Sequence, residues 1–255
     1  MEPLLLVKNV EKSYKKSVNT AKALEQVSFE IDHGEFVGVM GPSGAGKSTL
    51  LNVLATIDTP TNGDIFIGRD NIAKMDEEKL ADFRRDHLGF IFQDYNLLDS
   101  LTVRENILLP LAIAKKKPAE IAKRVDEIAA TFGISDLLDQ YPYQISGGQR
   151  QRTAASRALI SNPKIIFADE PTGALDSKSA TDLLESMSSL NEQHETTIMM
   201  VTHDAYAASF CRRILFIKDG RLSKEITRGN RTRKQFFQMI LDELAQMGGA
   251  ANDAI

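Results

Sequence analysis

Apolar and polar positions change rhythm several times along the chain, and each change marks an element. Residues 4–10 and 24–31 have strand-like patterning, with Leu24, Val27, Phe29 and Ile31 supplying the second run. The polar stretch Lys12-Ser13-Tyr14-Lys15-Lys16 between them reads as a loop. Residues 36–40 form a short apolar run, followed by glycine-rich sequence and an apolar-spaced helical segment over 49–57. Pro60 and Gly63 signal a turn before a short strand at 64–67. Asp76, backed by Glu77 and Glu78, predicts a helix start, and that helix runs to about His87. A strand over 88–92 ends at Gln93.

From 94 to about 160 the period is helical. Thr102 and Glu105 have capping-box spacing ahead of a helix over 103–114, which Pro110 is expected to kink. The charged break at 115–118 reads as a solvated linker. Ile121, Val125, Ile128, Ala129 and Phe132 make a helical stripe that Gly133 ends. Ser146 and Gln149 again have capping-box spacing, ahead of a helix to Ile160.

Strand texture resumes at 164–168, a continuous apolar run of the kind buried on both faces in a parallel sheet. A helix carrying Leu183, Leu184, Met187 and Leu190 precedes a strand at 196–201, and a hairpin turns at Asp219-Gly220. The last helix presents Phe236, Phe237, Ile240, Leu241 and Leu244, expected to pack on the protein's own body. The predicted class is α/β, with a mainly parallel core sheet, an antiparallel β subdomain and an α-helical insert. One domain is expected: residues 1–93 and 161–227 form the core with its β subdomain, 94–160 the helical insert, and 228–255 a C-terminal helix and tail.

Composition narrows the classes. With 255 residues and 42% hydrophobic positions the chain can bury a real core. A net charge of −4 gives no reason to expect a nucleic-acid partner, and Arg228, Arg231, Arg233 and Lys234 read as a local solvated face. Cys211 is the only cysteine, which excludes an intramolecular disulfide and fits a reducing compartment. The N-terminus is acidic with a short apolar run, unlike a signal peptide, and no stretch approaches the roughly 20 apolar residues of a membrane span. Work at a membrane would need a partner that holds the chain there.

The chemistry centres on Gly41-Pro42-Ser43-Gly44-Ala45-Gly46-Lys47-Ser48-Thr49, placed between a strand and a helix. Small residues let successive N–H groups and the helix's positive end point at one anion. Lys47 is then positioned for the β- and γ-phosphates, and the Ser48 hydroxyl for Mg²⁺. Such a loop alone leaves kinases, GTPases and ATPases open. Asp169 ends an apolar strand where a second carboxylate can hold Mg²⁺ through water. Glu170 follows it, and in an extended chain the two side chains would face opposite ways, one to the metal and one to the attacking water. Ser146-Gly147-Gly148-Gln149 offers a second anion site at a helix start. Two such sites far apart in sequence suggest two copies meeting head to tail.

These segments, with Gln93, Gly173-Ala174-Leu175-Asp176 and His203, stand in the order and spacing of an ABC transporter ATP-binding subunit, a P-loop NTPase, and the chain resembles that family over residues 4–226. The resemblance implies that Tyr14 stacks on adenine, Gln93 senses Mg²⁺ and links the site to the helical insert, Asp176 lies at a dimer seam, and His203 contacts the γ-phosphate. Ile145 and Gly173 depart from the usual leucine and serine without touching the polar and glycine positions. Within the family, residues 58–64 and 88–98 are similar to the branch that includes the macrolide-exporter and lipoprotein-releasing ATPases, and their combination with Ala55-Thr56-Ile57-Asp58 and the 233–238 ending looks most like the Bce-type ATPases of antimicrobial-peptide resistance. That implies ATP and Mg²⁺, an ATP-bound homodimer on the cytoplasmic face of the membrane, a large permease and, through it, a sensor kinase. The rival is an ATP-driven signalling or mechanical module acting on a membrane partner, or a lipoprotein-releasing or macrolide-type transporter ATPase.

Overall fold

The computed structural model describes residues 2–16 and 19–249. In chain order the first half forms β1 (Leu5–Lys16), β2 (Asn19–Ile31), β3 (Phe36–Met40), α1 (Lys47–Leu54), β4 (Asn62–Ile67), β5 (Asp70–Asn71), α2 (Glu77–His87) and β6 (Leu88–Ile91). There follow α3 (Val103–Ile113), α4 (Pro118–Thr131) and α5 (Gly147–Leu159). The remainder is β7 (Ile165–Asp169), α6 (Ser177–His194), β8 (Thr197–Val201), α7 (Ala205–Ala208), β9 (Arg213–Lys218), β10 (Arg221–Thr227) and α8 (Arg233–Gly249).

The core is a six-stranded sheet in the order β10-β9-β3-β8-β7-β6, with β9, β3, β8, β7 and β6 mutually parallel and β10 antiparallel at one edge. Alternation along these strands divides the interior in two. Phe36, Met40, Ile166, Ala168, Ile198, Met200, Ile214 and Phe216 face the helices α3 to α8. Val37, Val39, Ile165, Phe167, Met199, Val201, Leu215 and Ile217 face α1, α2 and a four-stranded antiparallel sheet, β2-β1-β4-β5. All the residues of β3 and β8 are buried, which is why they read as unbroken apolar runs.

Local signals at the ends of elements act as their chemistry demands. Asp76 accepts from the Lys79 N–H at the head of α2. Thr102 and Glu105 close a reciprocal capping box on α3, which carries Pro110 internally. Asp219 and Gly220, with φ of 49° and 74°, make the left-handed pair that a tight β9–β10 hairpin requires. Lys115, Lys116 and Lys117 are exposed, as expected of a solvated break. In α8, Phe236 and Ile240 are fully buried against the core, whereas Leu241 is exposed. Cys211 is fully buried, and that burial raises its thiol pKa. The tail from residue 250 lies outside the described residues.

The expected loop at 12–16 is not formed. Those residues are the second half of β1, paired with an equally extended β2 through Ser13↔Lys22 and Tyr14↔Ala21. Backbone pairing in an antiparallel ribbon asks for no apolar side chains, so the strand leaves no hydrophobic signature.

Candidate functional site

Four parallel strands deliver their carboxyl ends to one region, where ligands of open α/β sheets bind. The phosphate loop follows β3, Gln93 follows β6, Asp169 ends β7 and His203 lies just beyond β8.

Glycine is a geometric necessity in the loop. Gly41 has φ 150°, and a side chain there would run into the Ile217 carbonyl. At Gly46, φ 103°, a Cβ would lie 2.5 Å from the Ala23 carbonyl oxygen. Gly46 caps α1 without any side-chain hydrogen bond. The first-turn N–H groups of Lys47, Ser48 and Thr49 therefore have no acceptor among the described residues. An anion completes that helix start. Lys47 is buried and donates to the Gly41 and Pro42 carbonyls, both at 2.9 Å. Burial lowers its pKa, against the pull of the Glu170 and Asp169 carboxylates. Ser43, Gly44 and Ser48 are exposed, while Ala45 is buried.

Asp169 is half-buried, and its Oδ1 has no hydrogen-bond partner. Burial, reinforced by the Glu170 charge, raises its pKa, and Lys47 opposes this. A buried, unpaired carboxylate oxygen, close enough to the phosphate-loop Lys47 to act on its charge, and the exposed Ser48 hydroxyl next to that lysine in the chain are oxygen donors of the kind a hard cation takes. The expected alternation of Asp169 and Glu170 is not what the chain adopts. Glu170 is left-handed, φ 44°, held by its N–H to the Val201 carbonyl and by its own carbonyl to the Gly173 N–H, both 2.9 Å. A strained carboxylate residue at a strand end persists only because its surroundings fix it. Its Oε2 lies 2.6 Å from His203 Nδ1, so the imidazole Nε2 is left for another partner. Gln93 is exposed and lies against Gly173, where a Cβ would sit 3.0 Å from its Nε2.

The segment predicted as a second anion site is the capped start of α5. Ser146 Oγ accepts from the Gln149 N–H, and Gln149 Oε1 accepts from the Ser146 N–H. The Gly147 and Gly148 N–H groups have no acceptor among the described residues. A Cβ on Gly148 would meet Ser179 Oγ at 2.5 Å, so glycine permits α5 to lie against α6. Asp176 caps α6 through the Lys178 and Ser179 N–H groups and the Ser179 hydroxyl. No hydrogen bond among the described residues joins 146–149 to 41–49.

A model of the ABC transporter family matches residues 24–173. The chain belongs to the ABC transporter family. Over 253 residues it is 52% identical to the ABC transporter ATP-binding protein YxdL of Bacillus subtilis, covering 99% of this chain and 98% of that protein. Over 250 residues it is 50% identical to the bacitracin export ATP-binding protein BceA of Halalkalibacterium halodurans, covering 98% and 99%. Among solved structures, the dimeric post-hydrolysis state of the ATP-binding cassette MJ0796 bound to ADP and Pi aligns with TM-score 0.81 and 42% identity, covering 88% of this chain and 98% of that one. This ABC chain is thus an ATP-binding, ATP-hydrolysing transporter subunit. Among its described residues no helix is long and apolar enough to cross a membrane.

Sequence reasoning missed Gln151. It is fully buried in α5, and its Nε2 donates to the Phe92 carbonyl at 3.1 Å and the Pro171 carbonyl at 2.7 Å. One amide thus ties the loops after β6 and β7 to the helix behind Ser146. A signal was present, since Gln151, Ala154, Ala155 and Ala158 make an i, i+3, i+4, i+7 stripe, all buried. Gln151→Leu strips those carbonyls of their donor and should lower the unfolding free energy by about 1–3 kcal/mol, read from urea denaturation.

Proposed function

We propose that two copies of this chain close head to tail around two ATP molecules and drive a membrane permease from its cytoplasmic side. The observation that carries this is the pair of helix starts, α1 and α5, whose first N–H groups have no acceptor and which no hydrogen bond joins among the described residues. Each is half of an anion site, and a two-fold arrangement lets one copy's half meet the other's. The dimeric form of the MJ0796 cassette, bound to ADP and Pi, supports pairing of two copies.

In this reading Gly41 to Thr49 wrap the phosphates, Lys47 bonds the β- and γ-oxygens, and Tyr14 carries the adenine. Ser48 and Asp169 would hold Mg²⁺, with Gln93 placed to sense it. Bound Mg²⁺ supplies neutralisation of charge on the phosphate oxygens. Glu170 orients the attacking water and accepts its proton, His203 is held against the γ-phosphate by the Glu170 contact, and Ser146 to Gln149 of the other copy complete the cradle. Asp176 lies at the seam. Catalysis is then positioning and electrostatics.

An apolar groove of about 440 Å³ runs beside β6, the free edge of the core sheet, lined by Leu88, Phe90, Phe92, Leu109, Pro110 and Ile113. Its lining includes Phe92 and Asn96, which flank Gln93 in the chain, and this makes it the place where a permease segment would reach the nucleotide site. The similarity to the bacitracin export ATP-binding protein BceA supports a peptide antibiotic such as bacitracin as the substrate handled by that permease. A sensor kinase as the permease's own partner is part of the proposal.

The test is complementation between two inactive variants. Lys47→Ala removes one half-site. Ser146→Asp keeps a good helix cap but sets a negative charge where an anion belongs. Mixed in equal amounts, they should recover about a quarter of the parental ATPase rate, because half the dimers are hybrids with one intact site. A mixture as inactive as its components would sink the head-to-tail reading.

A further inference from the structure

Two of the side chains that hold Tyr14, Lys12 and Asp58, lie outside the phosphate loop. Lys12 and Tyr14 are two apart on β1, so their side chains leave the same face. The Lys12 ammonium lies over the Tyr14 ring, 4.9 Å from its centroid, and donates to Asp58 Oδ1 at 2.5 Å and to the Thr59 carbonyl at 2.7 Å. The Tyr14 hydroxyl donates to Asp58 Oδ2 at 2.8 Å. One carboxylate therefore grips both the end of the ring and the cation that covers one of its faces. Burial raises the Asp58 pKa, but the hydrogen bonds from Lys12, Tyr14 and the Thr59 N–H outweigh it, so the net shift is downward and the group stays ionised.

Asp58 is itself anchored to the phosphate machinery. Its N–H and that of Ile57 both donate to the Asn52 carbonyl of α1, the helix whose first turn carries Lys47 and Ser48. The network thus spans the two sheets, joining β1 of the antiparallel sheet to the helix that follows β3. Lys12 is 9% exposed, and Tyr14 is 40% exposed, so the ring keeps an open side while the cation occupies the other.

We propose that Asp58 and Lys12 are positioning residues that fix the Tyr14 ring as a one-sided platform for the adenine base and set its distance from the phosphate loop. This rests on the assignment of Tyr14 to the base. The geometry gives each residue a separable task. Lys12 selects the face available to a purine, Asp58 sets the tilt of the ring through its hydroxyl, and the Asn52 carbonyl ties that tilt to α1.

Inorganic tripolyphosphate distinguishes this role from a structural one, because it fills the phosphate cradle and has no base. Tyr14→Phe keeps the ring and removes its tether, and Asp58→Asn keeps an acceptor and removes the charge. Each should weaken ATP binding by calorimetry about 3- to 10-fold and leave tripolyphosphate binding within about twofold, with thermal unfolding monitored alongside. Tyr14→Ala should weaken ATP binding further. If Tyr14→Ala loses ATP affinity while Tyr14→Phe and Asp58→Asn keep it, the positioning role is overturned and base stacking stands. Normal ATP binding by Tyr14→Ala overturns both. A parallel loss of tripolyphosphate affinity in Tyr14→Phe and Asp58→Asn marks a general lesion and also overturns the proposal.

Discussion

Glu170→Gln should bind ATP as the parent does, turn it over about 10²- to 10⁴-fold more slowly, and accumulate as an ATP-bound dimer. The size of the loss follows from how the residue is held. Its left-handed backbone is pinned on both sides by the Val201 carbonyl and the Gly173 N–H, so a side chain of the same shape stays in place. Glutamine can still accept from His203 Nδ1, which lies 2.6 Å from the carboxylate, but it cannot take a proton from water. What disappears is the base alone. Size-exclusion chromatography with ATP, alongside phosphate release, reads both arms, and near-parental turnover would remove Glu170 from its role.

Lys47→Ala is expected to fail one step earlier, at binding. The ammonium is buried, under the pull of two carboxylates, and bonded to two loop carbonyls, so truncation removes the side-chain cation that offsets Asp169 and Glu170 where the phosphates bind. Removing one partner of a buried charge pair costs about 2–5 kcal/mol. In affinity that is a loss of roughly 30- to 5,000-fold, measurable by titration calorimetry. In the host, the same substitution should sensitise cells to bacitracin as fully as deletion of the gene. An unchanged inhibitory concentration would refute the peptide-antibiotic assignment while leaving the enzymology intact.

The sequence is most legible where burial is complete or a cap is local. β3 and β8 are buried throughout, so their apolar runs could only be core strands. The capping boxes at Thr102 and Ser146 are self-contained within four residues, and both are formed. The phosphate loop is legible for the same reason, since its glycines answer to local backbone geometry. Long-range and conformational features are not. The distal part of β1 is held by backbone pairing to β2, which no side-chain pattern announces. The left-handed turn at Glu170 depends on Val201 and Gly173, and a strand-end glutamate looks the same in sequence whether extended or turned. The link from Tyr14 to Asp58 joins positions 44 residues apart, beyond any periodicity.

The two carbonyls that share the Gln151 amide have a thermodynamic meaning beyond local stability. A single donor holding the loops after β6 and β7 makes them one joint, so a displacement of α5 would reach Gln93 and Glu170, to which we assign magnesium sensing and water orientation, together. Coupling through a shared joint works equally in both directions. Whatever permease state raises the affinity for nucleotide must itself be favoured, by the same factor, when nucleotide binds. Loading the transporter with its cargo and loading the engine with its fuel are then two readings of one equilibrium, and a substitution that loosens Gln151 should flatten both.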